Sequence, residues 1–131
     1  MKHRTKIYMI IIVSFILSLS VFLVKNYQRV KMIDMKQKYE ASKDLTYLGM
    51  CMDWYIETSR KAPDSIRIAV AEWNSDFPRK WKDTDEVVDP WGNPYKFILK
   101  DETLRLWSSG KNLTDEDGGG DDISITIPRS N

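Results

Sequence analysis

The longest apolar stretch in the chain runs from Ile7 to Val24, where 18 consecutive residues include no charged side chain and three basic residues precede them. A helix of this length spans about 27 Å, close to the thickness of the hydrocarbon core of a bilayer. The pattern predicts a membrane-spanning helix, and we expect residues 1–27 to be retained as an uncleaved signal-anchor. A cleaved signal peptide is the alternative, because Ser18 and Ser20 are small residues with the spacing that a signal peptidase requires.

The helical pattern continues beyond this span. Residues 25–60 contain no proline and one glycine. Charged residues predominate before Ala41, so we expect residues 28–60 to form an exposed stalk followed by a segment that packs on the rest of the protein. Cys51, beside the packing face, is interpreted as a buried structural thiol. The apolar positions of that face recur at helical spacing: Leu45, Leu48, Met52, Tyr55 and Ile56.

A second, shorter helix is predicted after a break in the long one. Pro63 cannot continue a helix, and Asp64 or Ser65 has the side chain of an N-cap. We predict a helix from this cap to about Asn74, with an inner face of Ile66, Ala69, Val70 and Trp73. Residues 75–89 show no periodicity and are interpreted as a loop anchored by apolar side chains, namely Phe77, Trp81, Val87 and Val88.

Three short strands are predicted in the C-terminal part of the chain. The sequence Asp-Pro-Trp-Gly-Asn-Pro at residues 89–94 indicates a turn, because its prolines prevent helix formation. Tyr95–Leu99 and Leu104–Ser108 flank a polar turn and predict a β-hairpin, and Ile123–Ile127 predicts a last strand. The expected fold is α+β: a long N-terminal membrane-spanning helix packed on a small antiparallel β-sheet, with residues 61–131 as the globular head.

Composition and charge exclude several classes of function. The net charge of +1 provides no overall field that would attract nucleic acid. The single cysteine cannot form an intramolecular disulfide or a cysteine-based zinc site, and the single histidine, His3, lies in the N-terminal tail. No nucleophile–base pair or phosphate-binding loop is recognisable. We therefore predict that the protein is not an enzyme and binds neither nucleic acid nor a small-molecule substrate.

The most unusual local composition lies between Lys111 and Ile123, where five acids accompany one base and a Gly-Gly-Gly triplet. Carboxylates this close repel one another unless a cation neutralises them. Ca²⁺ suits such a loop, because it accepts about six to eight oxygen ligands in an adaptable shell. A solvated loop without a bound ion is the alternative. The acids are Asp115, Glu116, Asp117, Asp121 and Asp122.

Three motifs of this region together resemble one family. They are the DPWGNPY turn, a strand that ends in WSSG, and a loop that ends in GGGDDI. In this combination the chain is similar, over residues 28–127, to the type II secretion system major pseudopilin (the protein G family). The resemblance implies a pilin-like fold with a C-terminal calcium loop. The Ca²⁺ ligands that it implies are Asn112, Asp121 and Asp122 with backbone carbonyls, and Asp115 and Asp117 are further candidates in the middle of the loop.

The resemblance also implies a location and partners. It implies a single-pass protein of the bacterial inner membrane with its C-terminal domain in the periplasm, in contact with other pseudopilins or secretion-apparatus proteins. Basic residues on both sides of the span leave the orientation open by charge alone. The expected function is that of a membrane-anchored, calcium-stabilised structural or interaction protein of a type II secretion or type IV pilus-like apparatus.

The N-terminal assembly motif of the family is missing from this sequence. Pseudopilins have a Gly before the apolar run and a Glu at its fifth position, whereas no Gly precedes Ile7 and no acid occurs before Lys25. We therefore expect that a prepilin peptidase does not cleave the chain and that the protein alone does not form long filaments. The alternative function is a free-standing anchored periplasmic binding module that uses the pseudopilin head without polymerising.

Overall fold

The structure of the chain, a computed structural model, describes residues 2–73, 81, 84–120 and 122–129. Two helices and three strands occur in this part of the chain and confirm the α+β class. The chain divides into two compact units, Met1–Lys36 and Gln37–Asn131, and the first helix runs through both. The elements are α1 (Lys2–Ser59), α2 (Ile66–Glu72), β1 (Lys96–Lys100), β2 (Thr103–Ser108) and β3 (Ile123–Pro128).

The first unit consists of the N-terminal part of α1. Its large apolar side chains from Ile7 to Val24 are all exposed, from 47% at Leu19 to 68% at Phe15. An 18-residue window of this helix has a mean hydropathy of 2.8 and none of it is buried within the protein. One helix in the described chain is therefore long and apolar enough to cross a membrane, as predicted. So much exposed apolar surface is unfavourable in water and favours lipid as its surroundings.

The second half of α1 forms one side of the core of the second unit. Ala41 is the first buried residue along the described helix. Gly49 faces the sheet, where an added Cβ would lie 2.5 Å from Ile127 Cδ1 and 2.9 Å from Ile125 Cδ1. The missing side chain thus lets α1 approach β3 closely. The predicted apolar stripe is confirmed as buried: Leu45, Leu48, Met52, Tyr55 and Ile56.

The end of α1 and the start of α2 are defined by two residues outside the helices. Arg60 has a left-handed φ of 58°, and its N–H donates to Ile56 O at 2.9 Å. This arrangement closes many helices and usually contains Gly. Ser65 is extended, and its Oγ accepts a hydrogen bond from Ile68 N at 3.4 Å. Of the two candidate N-caps, Ser65 rather than Asp64 therefore caps α2, because its hydroxyl reaches the third N–H of the helix.

The second helix is shorter than predicted. It ends at Glu72, and the expected end, Asn74, lies outside the described residues. Ile66 and Ala69 are buried and Val70 is half-buried against the core, as predicted for the inner face. Trp73, the fourth predicted residue, instead follows the helix as its C-cap, and its ring lies 5.4 Å from that of Trp54. A helix of seven residues has little stability of its own and depends on this packing.

The strands form one antiparallel sheet in the order β1-β2-β3. Asp101 and Glu102 join β1 to β2 with φ values of 49° and 59°, as in a two-residue turn with both residues left-handed. The strand bounds differ slightly from prediction: Tyr95 precedes β1, and its N–H donates to Val87 O at 3.1 Å outside the sheet. Pro128 is the last residue of β3 rather than the first residue after it.

The core of the second unit lies between the two helices and the inner face of the sheet. Leu104 and Leu106 of β2 are fully buried, and alternate isoleucines of β3 pack against the same cluster. Trp81 and Val87 are buried, as predicted for the long connection, whereas Phe77 lies outside the described residues. Because side chains alternate between the two faces of a strand, the residues between these positions point to an outer face.

Candidate functional site

The turn at residues 89–94 is organised by a buried carboxylate, Asp89, which is 4% exposed. Its Oδ1 accepts hydrogen bonds from the N–H groups of Trp91 at 2.9 Å and Asn93 at 2.8 Å. Its Oδ2 accepts from Ser108 Oγ at 2.5 Å and from Asn93 Nδ2 at 3.3 Å. Asn93 Nδ2 also donates to Gly110 O at 3.1 Å. The turn is therefore bonded to the end of β2 and to the start of the acidic loop.

The outer face of the sheet presents basic, aromatic and hydroxyl side chains to the acidic loop. Lys96 of β1 is directly opposite Trp107 of β2, and Ser124 of β3 is opposite Trp107 on its other side. Arg105, two residues before Trp107, lies on the same face. We call these four residues the outer patch. Each of them bonds to a residue of the loop.

Asp115 is the loop carboxylate that the outer patch engages directly. Its Oδ2 accepts a hydrogen bond from Lys96 Nζ in an ion pair. Its Oδ1 accepts from Trp107 Nε1 at 2.8 Å and from the Asp117 N–H at 3.1 Å. The hydrogen bonds from Lys96 and Trp107 lower the pKa of the Asp115 carboxyl below its ordinary value. One of the five acids is thus neutralised by a cation of the protein itself.

Asp122 orders the other end of the loop. Its Oδ2 accepts hydrogen bonds from the N–H groups of Glu116 and Gly118, both at 2.9 Å. Gly118 O accepts in turn from Arg105 Nη2 at 2.7 Å and Ser124 Oγ at 3.1 Å. Asp122 Oδ1 is buried and has no hydrogen-bond partner within the described residues. A buried carboxylate oxygen without a donor is unfavourable, so a cation bound at this atom would stabilise the loop.

The glycines of the loop are required by its close approach to other groups. Gly118 has a φ of 76°, and an added Cβ would lie 2.9 Å from Arg105 Nη2. Gly120 has a φ of 54°, and an added Cβ would lie 1.9 Å from Glu116 Oε2. Side chains are disfavoured at both positions by conformation and by space. The triplet therefore allows the loop to fold back on itself and on Arg105.

The five predicted ligands occupy different environments. Asn112 Oδ1 accepts from Thr114 N at 2.7 Å, which forms a local turn, and Asp117 is exposed. Asp115 and Asp122 both bond N–H groups of the turn at residues 116–118. Asp121 lies outside the described residues. Among the residues that the structure describes, no three or more His, Cys, Asp or Glu side chains are grouped so that they could hold a metal ion.

A second buried polar contact joins α1 to the segment before β1. Tyr95 OH donates to Asp44 Oδ2 at 3.0 Å, and both residues are buried. Burial, and then the negative charge of Asp44, raise the pKa of Tyr95. The burial of Asp44 was not predicted from the sequence, although its position four residues before Leu48 places it on the buried stripe. Burial also raises the pKa of the Cys51 thiol to about 11, which agrees with a structural thiol.

Comparison of the chain with protein-family models, with curated proteins and with solved structures finds no match. The similarity to pseudopilins therefore depends on the three sequence motifs, and any support for it comes from the contacts that join them.

Proposed function

We propose that the protein is a membrane-anchored, calcium-stabilised, pseudopilin-like structural or interaction protein of a type II secretion or type IV pilus-like apparatus. The main support is that the motifs of the resemblance are bonded to one another. Asp89 and Asn93 of the DPWGNPY turn bond Ser108 and Gly110 of the WSSG strand end. Trp107 of the same strand end bonds the acidic loop. Motifs that form one hydrogen-bonded unit are expected to occur together in a shared domain architecture.

In the proposed orientation, the apolar part of α1 spans the inner membrane once and the C-terminal domain lies in the periplasm. The exposed apolar surface from Ile7 to Val24 supports the anchoring. The orientation follows from the calcium proposal, because an acidic loop with modest affinity needs a compartment in which Ca²⁺ is abundant. The expected partners are other pseudopilins or secretion-apparatus proteins.

The proposed Ca²⁺ site centres on Asp122 Oδ1, a buried oxygen for which the described residues supply no donor. Asn112, Asp117 and Asp121, with backbone carbonyls of the loop, are the further ligands. Asp115 joins the set when its carboxylate exchanges Lys96 for the ion. Carboxylate, amide and carbonyl oxygens are the ligands that Ca²⁺ prefers, and the ion would neutralise several acids at once.

Thermal melting of the full-length protein in detergent, with Ca²⁺ and with a chelator, tests the calcium proposal. If Ca²⁺ binds only the folded state, a concentration of about 100 Kd stabilises it by about 2.7 kcal/mol, which raises Tm by on the order of 10 °C. Asp121→Ala and Asp122→Asn should each remove most of this shift. Mg²⁺ should replace Ca²⁺ poorly, because it requires strict octahedral geometry.

Ser65→Ala is the matched control for loss of stability elsewhere. It removes the N-cap of α2 and should lower the free energy of unfolding by about 1 kcal/mol without changing the Ca²⁺-dependent shift. Melting curves of the wild-type protein that coincide with and without Ca²⁺ would show that the acidic loop is solvated and ion-free.

Labelling of single introduced cysteines tests the orientation. Cys51 is buried with a raised thiol pKa, so it should not react and can stay in place. A membrane-impermeant maleimide added to intact spheroplasts should label Lys111→Cys, which lies in the exposed loop. The same reagent should label Lys2→Cys only after lysis. The reverse pattern would place the head in the cytoplasm and contradict the proposal.

The second candidate, an anchored periplasmic binding module that does not polymerise, is favoured by the lack of an acid between Ile7 and Val24. A buried carboxylate in the span would direct docking between subunits because a charge in lipid is costly. Formaldehyde crosslinking in cells distinguishes the two candidates. A ladder of crosslinked copies, or adducts with pseudopilins, supports the assembly role, whereas a single adduct with an unrelated periplasmic protein supports the binding module.

A further inference from the structure

Two exposed tyrosines lie close to the two ends of the apolar part of α1. Tyr8 and Tyr27 are 64% and 70% exposed. Tyr27 lies nineteen positions after Tyr8, which corresponds to about 28 Å along a helix. This length is close to the roughly 30 Å hydrocarbon core, and tyrosine is typical of both membrane–water interfaces. In an inserted helix, Tyr27 therefore marks the level at which α1 leaves the lipid.

Three basic residues surround the helix at this level: Lys25, Arg29 and Lys31, which we call the basic collar. All three are exposed, and residues 25–33 contain no acid. Lys25 and Arg29 lie on one face of the helix and Lys31 on another, because a turn contains 3.6 residues. The collar extends about 9 Å along the axis, which is comparable with the Debye length of about 8 Å at physiological salt. All three charges are thus within electrostatic reach of the membrane surface.

We propose that the basic collar binds the headgroups of anionic phospholipids in the leaflet from which α1 emerges. The inference rests on membrane insertion, which is part of the proposed function. Val30 and Ile33 lie within or just beyond the collar and are 58% and 52% exposed. Apolar side chains between cations suit the interface, where acyl chains and charged headgroups meet. Cations in this position are attracted to anionic headgroups and not to zwitterionic ones.

A second copy of the chain fits the collar less well than lipid does. Two collars carry the same charge and repel each other. The acidic loop of a second copy would have to give up contacts with its own outer patch, such as the Lys96–Asp115 ion pair. Lipid headgroups meet neither obstacle, and the span itself brings them to the collar.

The test uses full-length protein reconstituted into nanodiscs of phosphatidylcholine with a minor fraction of phosphatidylglycerol. Lipids that stay bound after release from the disc are counted by native mass spectrometry. We expect the wild-type chain to retain phosphatidylglycerol preferentially. The variant Lys25→Gln/Arg29→Gln/Lys31→Gln should lower the ratio of bound phosphatidylglycerol to phosphatidylcholine by more than about fivefold, which is the effect of a single basic residue near an anionic surface. Salt at about 1 M should weaken the preference of the wild type, since it shortens the Debye length to about 3 Å.

The control variant Lys61→Gln/Lys100→Gln/Lys111→Gln loses the same charge from exposed positions of the second unit. Its lipid ratio should equal that of the wild type. The inference is overturned if the control lowers the ratio as much as the collar variant does, or if neither changes it. If the chain enters the disc but shows no lipid preference, only the binding of anionic lipid by the basic collar is overturned. If the chain stays outside the disc, membrane anchoring is contradicted as well.

Discussion

Trp107 Nε1 donates a hydrogen bond to Asp115 Oδ1 at 2.8 Å, so the central strand of the sheet holds the middle of the acidic loop. Lys96, directly opposite Trp107 on β1, is paired with the other oxygen of the same carboxylate. The protein therefore supplies its own cation to a loop whose composition indicates a metal ion. Contacts of this kind make the loop sensitive to pH and to the charge at residue 96.

The Asp115 contacts predict a loss of stability in acid. Because the folded-state pKa of Asp115 lies below its ordinary value of 3.8, the ionised carboxylate stabilises the folded state. This contribution is fully present above about pH 4 and is lost as the pH falls through the lower, folded-state pKa. In chelator, the difference in Tm between wild type and Asp115→Asn should be largest near neutral pH and should disappear in strong acid. A difference that is independent of pH would contradict the ion pair.

Asp89 is expected to contribute far more to stability than Asp115. Asp89→Ala removes the acceptor of four hydrogen bonds and leaves part-buried N–H donors of the turn without this acceptor. The free energy of unfolding should fall by about 3 kcal/mol or more. Ser108→Ala, which removes one of these donors and the acceptor of the Gly110 N–H, should cost about 2 kcal/mol. Denaturant titration of the two variants measures the difference, and equal losses would show that Asp89 does not organise the turn.

The sequence was sufficient for the parts of the fold that depend on local periodicity and turn chemistry. The apolar stripe from Leu45 to Ile56 is buried as predicted, and the strands of the hairpin and the last strand begin and end within one residue of their predicted bounds. These features depend on neighbours within a few residues, so a single sequence contains the information. The choice between Asp64 and Ser65 as N-cap was open because both side chains can cap, and only the backbone path decides.

The contacts of the acidic loop could not be predicted because they depend on strand register and on chain segments far apart in sequence. Lys96 and Asp115 are nineteen residues apart, and they meet only because the loop folds over the outer face of the sheet. Lys96 and Arg105 lie outside the loop in sequence, so the local composition of residues 111–123 does not include the charges that meet it. The contacts of Asp89 could not be predicted for the same reason, because its partner Ser108 lies nineteen residues later, at the end of β2.

The hairpin turn offers a stabilising substitution. Asp101 and Glu102 have left-handed φ values, which Asn and Gly adopt at lower cost. The double variant Asp101→Asn/Glu102→Gly should raise the free energy of unfolding by about 0.5–1 kcal/mol and Tm by a few degrees. The Arg129 N–H donates to the backbone of Glu102 and is retained in the variant. A lower Tm would show that the Glu102 side chain contributes more than its backbone strain costs.

The calcium proposal and the Lys96–Asp115 ion pair together predict a competition between the lysine and the metal ion. Lys96 occupies one oxygen of Asp115 and places a positive charge beside the proposed site. Lys96→Met should therefore lower Tm in chelator, because Asp115 loses its neutralising partner. With Ca²⁺ present, the carboxylate of Asp115 becomes available to the ion, and the repulsion between Lys96 and the ion is removed. The Kd for Ca²⁺ should fall by about tenfold, the effect in water of a unit charge about 6 Å from a divalent ion.

Lys100→Met is the matched control, because Lys100 lies on the same strand and the same face and is exposed. It removes the same charge and should leave both the Tm in chelator and the Kd for Ca²⁺ close to those of the wild type. Isothermal titration measures the Kd, and melting curves measure the Tm. If Lys96→Met lowers Tm in chelator but leaves the Kd unchanged, Asp115 is bound to the outer patch and is not a calcium ligand. If the two lysine variants strengthen Ca²⁺ binding equally, the effect is one of overall charge, and the competition does not exist.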